Sequence, residues 1–137
     1  MIDWNQYEPH RCAGTVVDVA GSSALFQSSA GHQLRLGLLA GEAAPRVGPA
    51  SVLLHLRATD ADMLSPTPEE IALDADHRVV AVTGEVKSFR RNGQEVLLRA
   101  ILPFIVEFEE YAEWLDSMIE GQVLRVPVTR AFGVSWR

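Results

Sequence analysis

The stretch VVAVTGEVKSFRRNGQEVLLRAI, residues 79–101, carries the strongest hairpin signal in the chain. Two runs rich in β-branched and apolar residues, Val79–Phe89 and Gln94–Ile101, flank a turn that contains Asn92 and Gly93. Asn-Gly accepts positive φ at both central positions of a type I′ turn, and the twist of that turn matches the flanking strands. The pattern therefore predicts an antiparallel β-hairpin.

Further strand patterns lie on both sides of the hairpin, as β-branched or apolar runs and as apolar residues at every second position. They occur at Thr15–Val19, Ala24–Phe26, 33–38 and 52–57. Near the end of the sequence, residues 122–136 predict one long final strand with a shared apolar face. That face consists of Leu124, Val126, Val128, Phe132, Val134 and Trp136. Together the patterns predict a mainly β protein, a small antiparallel barrel of six or seven strands that forms a single domain over residues 1–137.

Two segments show helical rather than strand patterning. Apolar residues at i, i+3, i+4 and i+7 predict an amphipathic C-terminal helix over 108–119, and Gly121 is placed to end it. The sequence TPEE at 67–70 fits a capping box with proline at the first helical position, which predicts a short helix at 67–73. The polar face of the C-terminal helix is acidic and is a candidate protein-binding surface. Its candidate contact residues are Glu109, Glu110, Glu113 and Asp116.

The composition limits the compartment and the partners. The chain of 137 residues has a formal net charge of −6 and a single cysteine, Cys12, which suits a reducing compartment. The first twelve residues lack the pattern of a secretory signal, and no apolar run is long enough to span a bilayer. We therefore expect a cytoplasmic protein with no membrane association. The acidic balance also disfavours duplex DNA as a partner, because a duplex binder usually presents a basic face.

The sequence contains no familiar motif for catalysis or metal binding. The histidines and the cysteine do not form a compact pair of zinc ligands. Two Asp-x-Asp pairs, at 60–62 and 74–76, lack the glycine and glutamate of a calcium-binding loop. Nucleophile elbows, Walker A loops and dinucleotide fingerprints are also absent. We therefore expect a non-enzymatic protein with no cofactor and no metal.

The segment GTVVDVAGSSALF, residues 14–26, resembles the region around the [D/N]xSxxG motif of PilZ domains. Val47-Gly48 with 52–56 resembles the next strand of that family, and 82–86 with the pattern at 108–119 fits its last part. PilZ domains are small barrels that in bacteria often bind cyclic di-GMP. The resemblance therefore implies a bacterial binding or adaptor domain.

The PilZ resemblance implies a ligand site at Arg11, Asp18, Ser22 and Ser23. The motif is incomplete, since Ala20 stands where the family has serine and Ser23 stands where it has glycine. The family's RxxxR pair, whose guanidinium groups clamp phosphates, is reduced here to Arg11. The resemblance thus implies an adaptor that works through protein contacts and does not bind cyclic di-GMP in the family's usual manner.

The chain is also similar to an OB-fold. Residues 80–89 followed by 96–103 are similar to the late strands of single-strand-binding OB domains, and 67–73 has the position of the helix between the third and fourth strands. This similarity implies a module that binds single-stranded nucleic acid or another OB protein. Its contact residues would be Lys87, Phe89, Arg90 and Arg91, at the tip of the predicted hairpin.

Two further expectations come from features that neither family explains. The acidic helix face fits a small inhibitor or immunity-type protein that presents carboxylates to a basic target. The long final strand could pair with a second copy, so we also expect a homodimer. Among the classes of partner, a protein is favoured.

Overall fold

The computed structural model describes residues 2–90 and 94–137. Strands account for 54% of the chain and helical turns for 9%, which confirms the prediction of a mainly β protein. Two short 3₁₀ helices span Trp4–His10 and Glu113–Ser117. The strands are β1 Cys12–Ala20, β2 Ser23–Ser28, β3 Gln33–Leu38, β4 Gly48–Ala58, β5 Asp62–Leu64, β6 Glu70–Leu73, β7 Val79–Arg90, β8 Glu95–Ala100, β9 Leu102–Phe108, β10 Val123–Pro127 and β11 Arg130–Val134.

Five of these strands close into a barrel in the order β1-β2-β3-β11-β4, with β4 pairing back to β1. The β3–β11 pair is parallel, and the other four pairs of the ring are antiparallel. Each strand of the ring therefore has a paired neighbour on both sides. The barrel expected from the sequence is therefore confirmed, although its sheet is mixed rather than antiparallel.

A second group of strands extends the sheet from the long strand β4. Residues 48–52 of β4 pair with β1, whereas residues 54–58 pair in parallel with β9 along the same edge. The sheet then continues through β8, β7, β10 and β5, and β6 pairs with β7. The prediction of six or seven antiparallel strands was wrong, because the chain between β4 and β11 forms this extension and eleven strands result.

Two apolar clusters hold the strands together. The larger cluster runs from the barrel interior into the extension and contains fully buried Phe26, Leu34, Leu54 and Phe104. The smaller cluster lies on the opposite face of β4, β8, β9 and β11. Its buried members are Ile2, Tyr7, Leu53, Leu97, Ile105 and Val134. The first 3₁₀ helix covers this outer cluster, so the N-terminal segment contributes to burial of the sheet's second face.

The predicted C-terminal helix over 108–119 was wrong. Phe108 is the last residue of β9, which pairs with β4 on one side and with β8 on the other. Only Glu113–Ser117 turns, as a 3₁₀ helix, and it buries Leu115. The spacing of Leu115 and Met118 suits one helical turn that covers the core, while strand pairing overrides the local helical pattern before it.

The predicted short helix at 67–73 was also wrong. Residues Glu70–Leu73 form β6, an antiparallel partner of β7. The Thr67 hydroxyl donates to the carbonyl of Ser65 at 2.6 Å, so it does not cap a helix. Pairing with β7 therefore prevails over the capping-box pattern.

The predicted hairpin and the final strand have different outcomes. The two strands of the predicted hairpin are confirmed as β7 and β8, which pair antiparallel. Residues 91–93 of its predicted turn lie outside the described residues. The expected single strand over 122–136 is instead divided into β10 and β11, which pair within the chain on β7 and on β3 and β4. Across the described residues, no helix is both long and apolar enough to cross a membrane.

Candidate anion-binding site

A cavity of about 490 Å³ opens on the outside of the barrel, where the β1–β2 turn, β3, the segment before β7 and the start of β11 meet. Its polar lining consists of Ser22, Ser23, Arg35, Asp74, Arg78, Thr129 and Arg130. Its remaining lining consists of Gly37, Leu38, Val79, Val80, Val128, Ala131 and Phe132. Sites for small ligands commonly have volumes of roughly 300–1,000 Å³. We refer to it as the arginine cavity.

Arg35 belongs to the outer face of β3. Its neighbours Leu34 and Leu36 are fully buried in the barrel core, so alternation along the strand directs Arg35 outward. The Arg35 guanidinium donates to the Ser23 hydroxyl at 3.3 Å. The Arg35 backbone N–H donates to the carbonyl of His77 at 2.8 Å, which holds the segment before β7 against β3.

Arg78 is positioned by a turn that Asp74 organises. One Asp74 carboxylate oxygen accepts hydrogen bonds from the backbone N–H groups of Asp76, at 2.8 Å, and Arg78, at 3.0 Å. His77, between them, has a positive φ of 63°. The turn therefore occupies one oxygen of Asp74, the only acidic residue that lines the cavity within the described chain, and presents Arg78 at the cavity wall.

Arg130 is the first residue of β11 and lies opposite Arg57 of β4. In the described part of the chain, neither Arg35, Arg78 nor Arg130 forms an ion pair with a carboxylate. Three arginines without a carboxylate partner among the described residues therefore line one cavity of a protein whose net charge is negative. Guanidinium groups bind phosphate and carboxylate in a bidentate manner, so this lining suits an anion.

Phe132 connects the cavity with a buried histidine. A Cβ at Gly37 would lie 3.0 Å from the Phe132 ring, so the glycine lets this ring lie across β3. The ring stacks with His55 at a centroid distance of 5.9 Å, and the Arg57 guanidinium lies 5.3 Å from its centroid. The edge of the Trp4 ring contacts His55 on another side at 4.9 Å.

His55 is 2% exposed, and neither ring nitrogen has a hydrogen-bond partner in the described chain. Burial, and secondly the charge of Arg57, lowers the pKa of His55 to about 4. His55 is therefore neutral near pH 7, and its ring acts as an aromatic support for Phe132. Its Nε2 lies 3.4 Å from a carboxylate oxygen of Glu107. This contact would be an ion pair only if the ring were protonated.

A second buried polar contact lies below the first 3₁₀ helix. The Tyr7 hydroxyl donates to the carboxylate of Glu95 at 2.7 Å, and both residues are buried. Burial, and then the hydrogen bond to Glu95, raises the pKa of Tyr7 above its usual range. The contact satisfies the carboxylate and fixes the N-terminal segment on the sheet.

The residues of the PilZ-like prediction are not brought together at one site. Ser22 and Ser23 line the arginine cavity. Arg11 lies at the other end of β1, where its guanidinium donates to Glu8 at 2.9 Å and to the Ser135 carbonyl at 2.6 Å. Asp18 is exposed on β1 and does not line the cavity.

The residues of the OB-like prediction do not form a common surface with the cavity. Lys87 pairs with Glu85 at 3.2 Å, at a bulge in β7. Phe89 packs against the main core, and Arg90 is exposed. Arg91 lies outside the described residues.

The carboxylates predicted as a protein-binding face are exposed, although the segment that carries them is not an α-helix. These residues are Glu109, Glu110, Glu113 and Asp116. Glu109 accepts a hydrogen bond from the Thr129 hydroxyl at 3.3 Å, and Asp116 accepts one from the Tyr111 hydroxyl. Their role in binding a protein stays a prediction, as do the inhibitor and homodimer hypotheses.

Sequence reasoning missed Arg35, Arg78 and Arg130. The only signal was that each is a cation beside residues of a strand or a turn, a feature shared by several other arginines of the chain. The convergence depends on the parallel β3–β11 pair, which brings distant segments together. In the described ranges, no three residues among His, Cys, Asp and Glu lie close enough together to hold a metal ion.

In comparisons with known proteins, no family model, no curated protein and no solved structure matches the chain.

Proposed function

We propose that the chain is a non-enzymatic binding module with an OB-type barrel, which holds the phosphate of a nucleotide-class ligand in the arginine cavity. An OB-fold is a five-stranded Greek-key barrel that binds ligands on strands 2 and 3 and on the loops that join strands 1 to 2 and 4 to 5. In this proposal the arginine cavity is matched to that ligand-binding surface. It is bounded by the β1–β2 turn, by β3 and by the segment that enters β11, the fifth strand of the ring.

The observation that carries the proposal is the convergence of Arg35, Arg78 and Arg130 without carboxylate partners. Like charges that share a cavity repel one another, and a bound anion would remove that repulsion. The hydroxyl of Ser22 provides an additional donor at the same wall. These groups are suited to a phosphate.

The other wall of the cavity indicates what the phosphate is attached to. Leu38, Val80 and Val128 give it an apolar surface that a nucleobase or another flat group could contact. Extended single strands usually stack their bases on exposed aromatic side chains. Phe132 is the only aromatic residue among the cavity's described lining, and His55 and Arg57 already lie against its ring. A compact nucleotide therefore fits better than a long single strand.

Differential scanning fluorimetry with AMP, cyclic di-GMP and a mixed single-stranded oligonucleotide at low salt tests this proposal. A ligand at about 100 times its Kd adds roughly 2.7 kcal/mol to the stability of the folded state, which raises the Tm by several degrees. We expect the largest shift with AMP or cyclic di-GMP and a smaller shift as salt is added. If all three ligands leave the Tm unchanged at low salt, the cavity does not bind nucleotides.

Two variants locate the binding. Arg78→Ala and Arg130→Ala should each weaken nucleotide binding by about tenfold or more, because each removes a charge-assisted hydrogen bond. Arg46→Ala is the matched control, since Arg46 is exposed and does not line the arginine cavity. Equal weakening in the control would show that binding depends on overall charge and not on this cavity.

A further inference from the structure

We propose that Arg57, a fourth cation beside the arginine cavity, selects ligands with two adjacent phosphate groups. The chemical class is that of a nucleoside diphosphate or another diphosphate ester. This inference rests on the proposed function, because it concerns the same ligand and extends the cavity by one strand. It assigns a specificity role to a residue that does not itself line the cavity.

The sheet geometry places Arg57 beside Arg130. The two residues are direct partners in the antiparallel β4–β11 pair, so their side chains project from the same face. The Arg57 guanidinium lies over the ring of Phe132, a residue of the cavity lining. The Thr129 hydroxyl, also in the lining, donates to the Arg57 carbonyl at 2.9 Å and fixes the two strands at this point. Arg57 is therefore one strand away from the cavity wall and is held in position.

Of these two arginines, only Arg57 has an ion-pair partner among the described residues. Like charges that face each other on adjacent strands are destabilising. Arg57 lies 3.6 Å from Glu107, while Arg130 forms no ion pair with any described carboxylate. A ligand anion between Arg57 and Arg130 would reduce this repulsion. The other phosphate group of the same ligand, bound by Arg35 and Arg78, would complete a diphosphate site.

Glu107 competes with the ligand for Arg57. The Glu107 carboxylate is shared, since the same oxygen lies 3.4 Å from His55 Nε2. The Arg57 and Glu107 side chains are 37% and 30% exposed, and ion pairs at such partly exposed positions are weak. A phosphate offers more charge and a bidentate geometry. A diphosphate would therefore displace Glu107 from Arg57, whereas a monophosphate held deeper in the cavity would leave the ion pair in place.

Isothermal titration of the full chain with inorganic phosphate and with pyrophosphate tests this inference. We expect the wild type to prefer pyrophosphate by about tenfold, the value of one additional charged contact. Arg57→Ala should lower pyrophosphate affinity by about tenfold and change phosphate affinity by less than about twofold. Glu107→Gln should raise pyrophosphate affinity by up to about fivefold, because it frees Arg57.

The Glu107→Gln variant keeps the test valid if Arg57→Ala does not fold, which its thermal melt will show. Equal losses for both anions in Arg57→Ala, or a Glu107→Gln protein with unchanged pyrophosphate affinity, would overturn the inference. Such results are distinguishable from failure of the proposed function. If the proposed function fails, neither nucleotides nor inorganic anions bind the wild type at all.

Discussion

Replacement of His55 by phenylalanine should remove a defined part of the protein's sensitivity to acid. The His55 ring lies between Trp4 and Phe132 and makes no hydrogen bond within the described chain. A phenylalanine ring has a similar shape and can occupy the same aromatic contacts, but it does not titrate. The comparison of the two proteins therefore isolates the protonation of one buried ring.

The size of the effect follows from the two pKa values of His55. In the unfolded chain the pKa is the ordinary 6.5, and burial lowers it to about 4 in the folded protein. Between these values the unfolded chain binds a proton that the folded protein does not bind. Stability is therefore fully present above pH 6.5 and is lost as the pH falls toward 4. The difference between the two pKa values corresponds to a loss of about 3 kcal/mol.

The assay is urea unfolding at pH 7, 5.5 and 4.5, followed by fluorescence of the three tryptophans. The wild type should lose more stability than His55→Phe over this range, and the gap between them should grow as the pH falls. Hydrogen bonding to Arg11 lowers the pKa of Glu8, which also makes the protein sensitive to acid, but this contribution is common to both proteins. Identical pH profiles for the two proteins would refute the assigned environment of His55.

A matched histidine control is available at His77. This residue is exposed and has a positive φ of 63°, so asparagine, which tolerates that conformation, is the suitable replacement. His77→Asn should retain the acid sensitivity of the wild type. If the stability of this control depended less on pH than that of the wild type, the acid sensitivity would come from the number of histidines and not from the burial of His55.

Three other perturbations have definite expected results. Tyr7→Phe leaves the buried Glu95 carboxylate without its 2.7 Å hydrogen bond and should cost about 1–3 kcal/mol in a urea melt. Gly84→Ala places a Cβ 2.2 Å from the Arg99 carbonyl oxygen and should lower the Tm sharply, with a loss of about 3 kcal/mol or more. Burial raises the pKa of Cys12 to about 11, so stability should fall as the pH rises from 9 to 11, and Cys12→Ala should not show this part of the loss.

Each of these results has a clear contrary outcome. A Tyr7→Phe protein as stable as the wild type would mean that Glu95 is not buried against Tyr7. A Gly84→Ala protein with an unchanged Tm would contradict the close approach of β7 and β8. Equal losses of stability at alkaline pH with and without Cys12 would mean that the thiol is in contact with water.

The strands were predictable where one face is buried and the other is not. Alternation in Leu34–Leu38 and around His55 identified β3 and β4, because burial in a sheet has a period of two. The segment after Val106 has a pattern that does not match its structure. Phe108, Leu115 and Met118 have helical spacing, but each is buried by a separate part of the sheet or by one turn. Spacing within a sequence does not reveal which element supplies the neighbouring surface.

The candidate site was predictable only in small part. Ser22 and Ser23 follow a turn-prone glycine, and the PilZ resemblance selected them. The arginines of the cavity come from β3, from a turn before β7 and from β11, and their meeting depends on strand order. Strand order is set by long-range pairing, for which alternation along the sequence gives no information.

The position of β11 in the ring has a consequence for how the chain is made. The edge of β4 that pairs with β11 has no partner while the whole extension is synthesised. The bonded residues Arg57 and Thr129 are 72 positions apart. Until β11 leaves the ribosome, one edge of β4 and one edge of β3 have unsatisfied backbone groups, which can pair with other nascent chains. The large share of such distant contacts also predicts slow closure of the barrel. During this interval, nascent chains with exposed β3 and β4 edges depend on chaperones or on low local concentration to avoid aggregation.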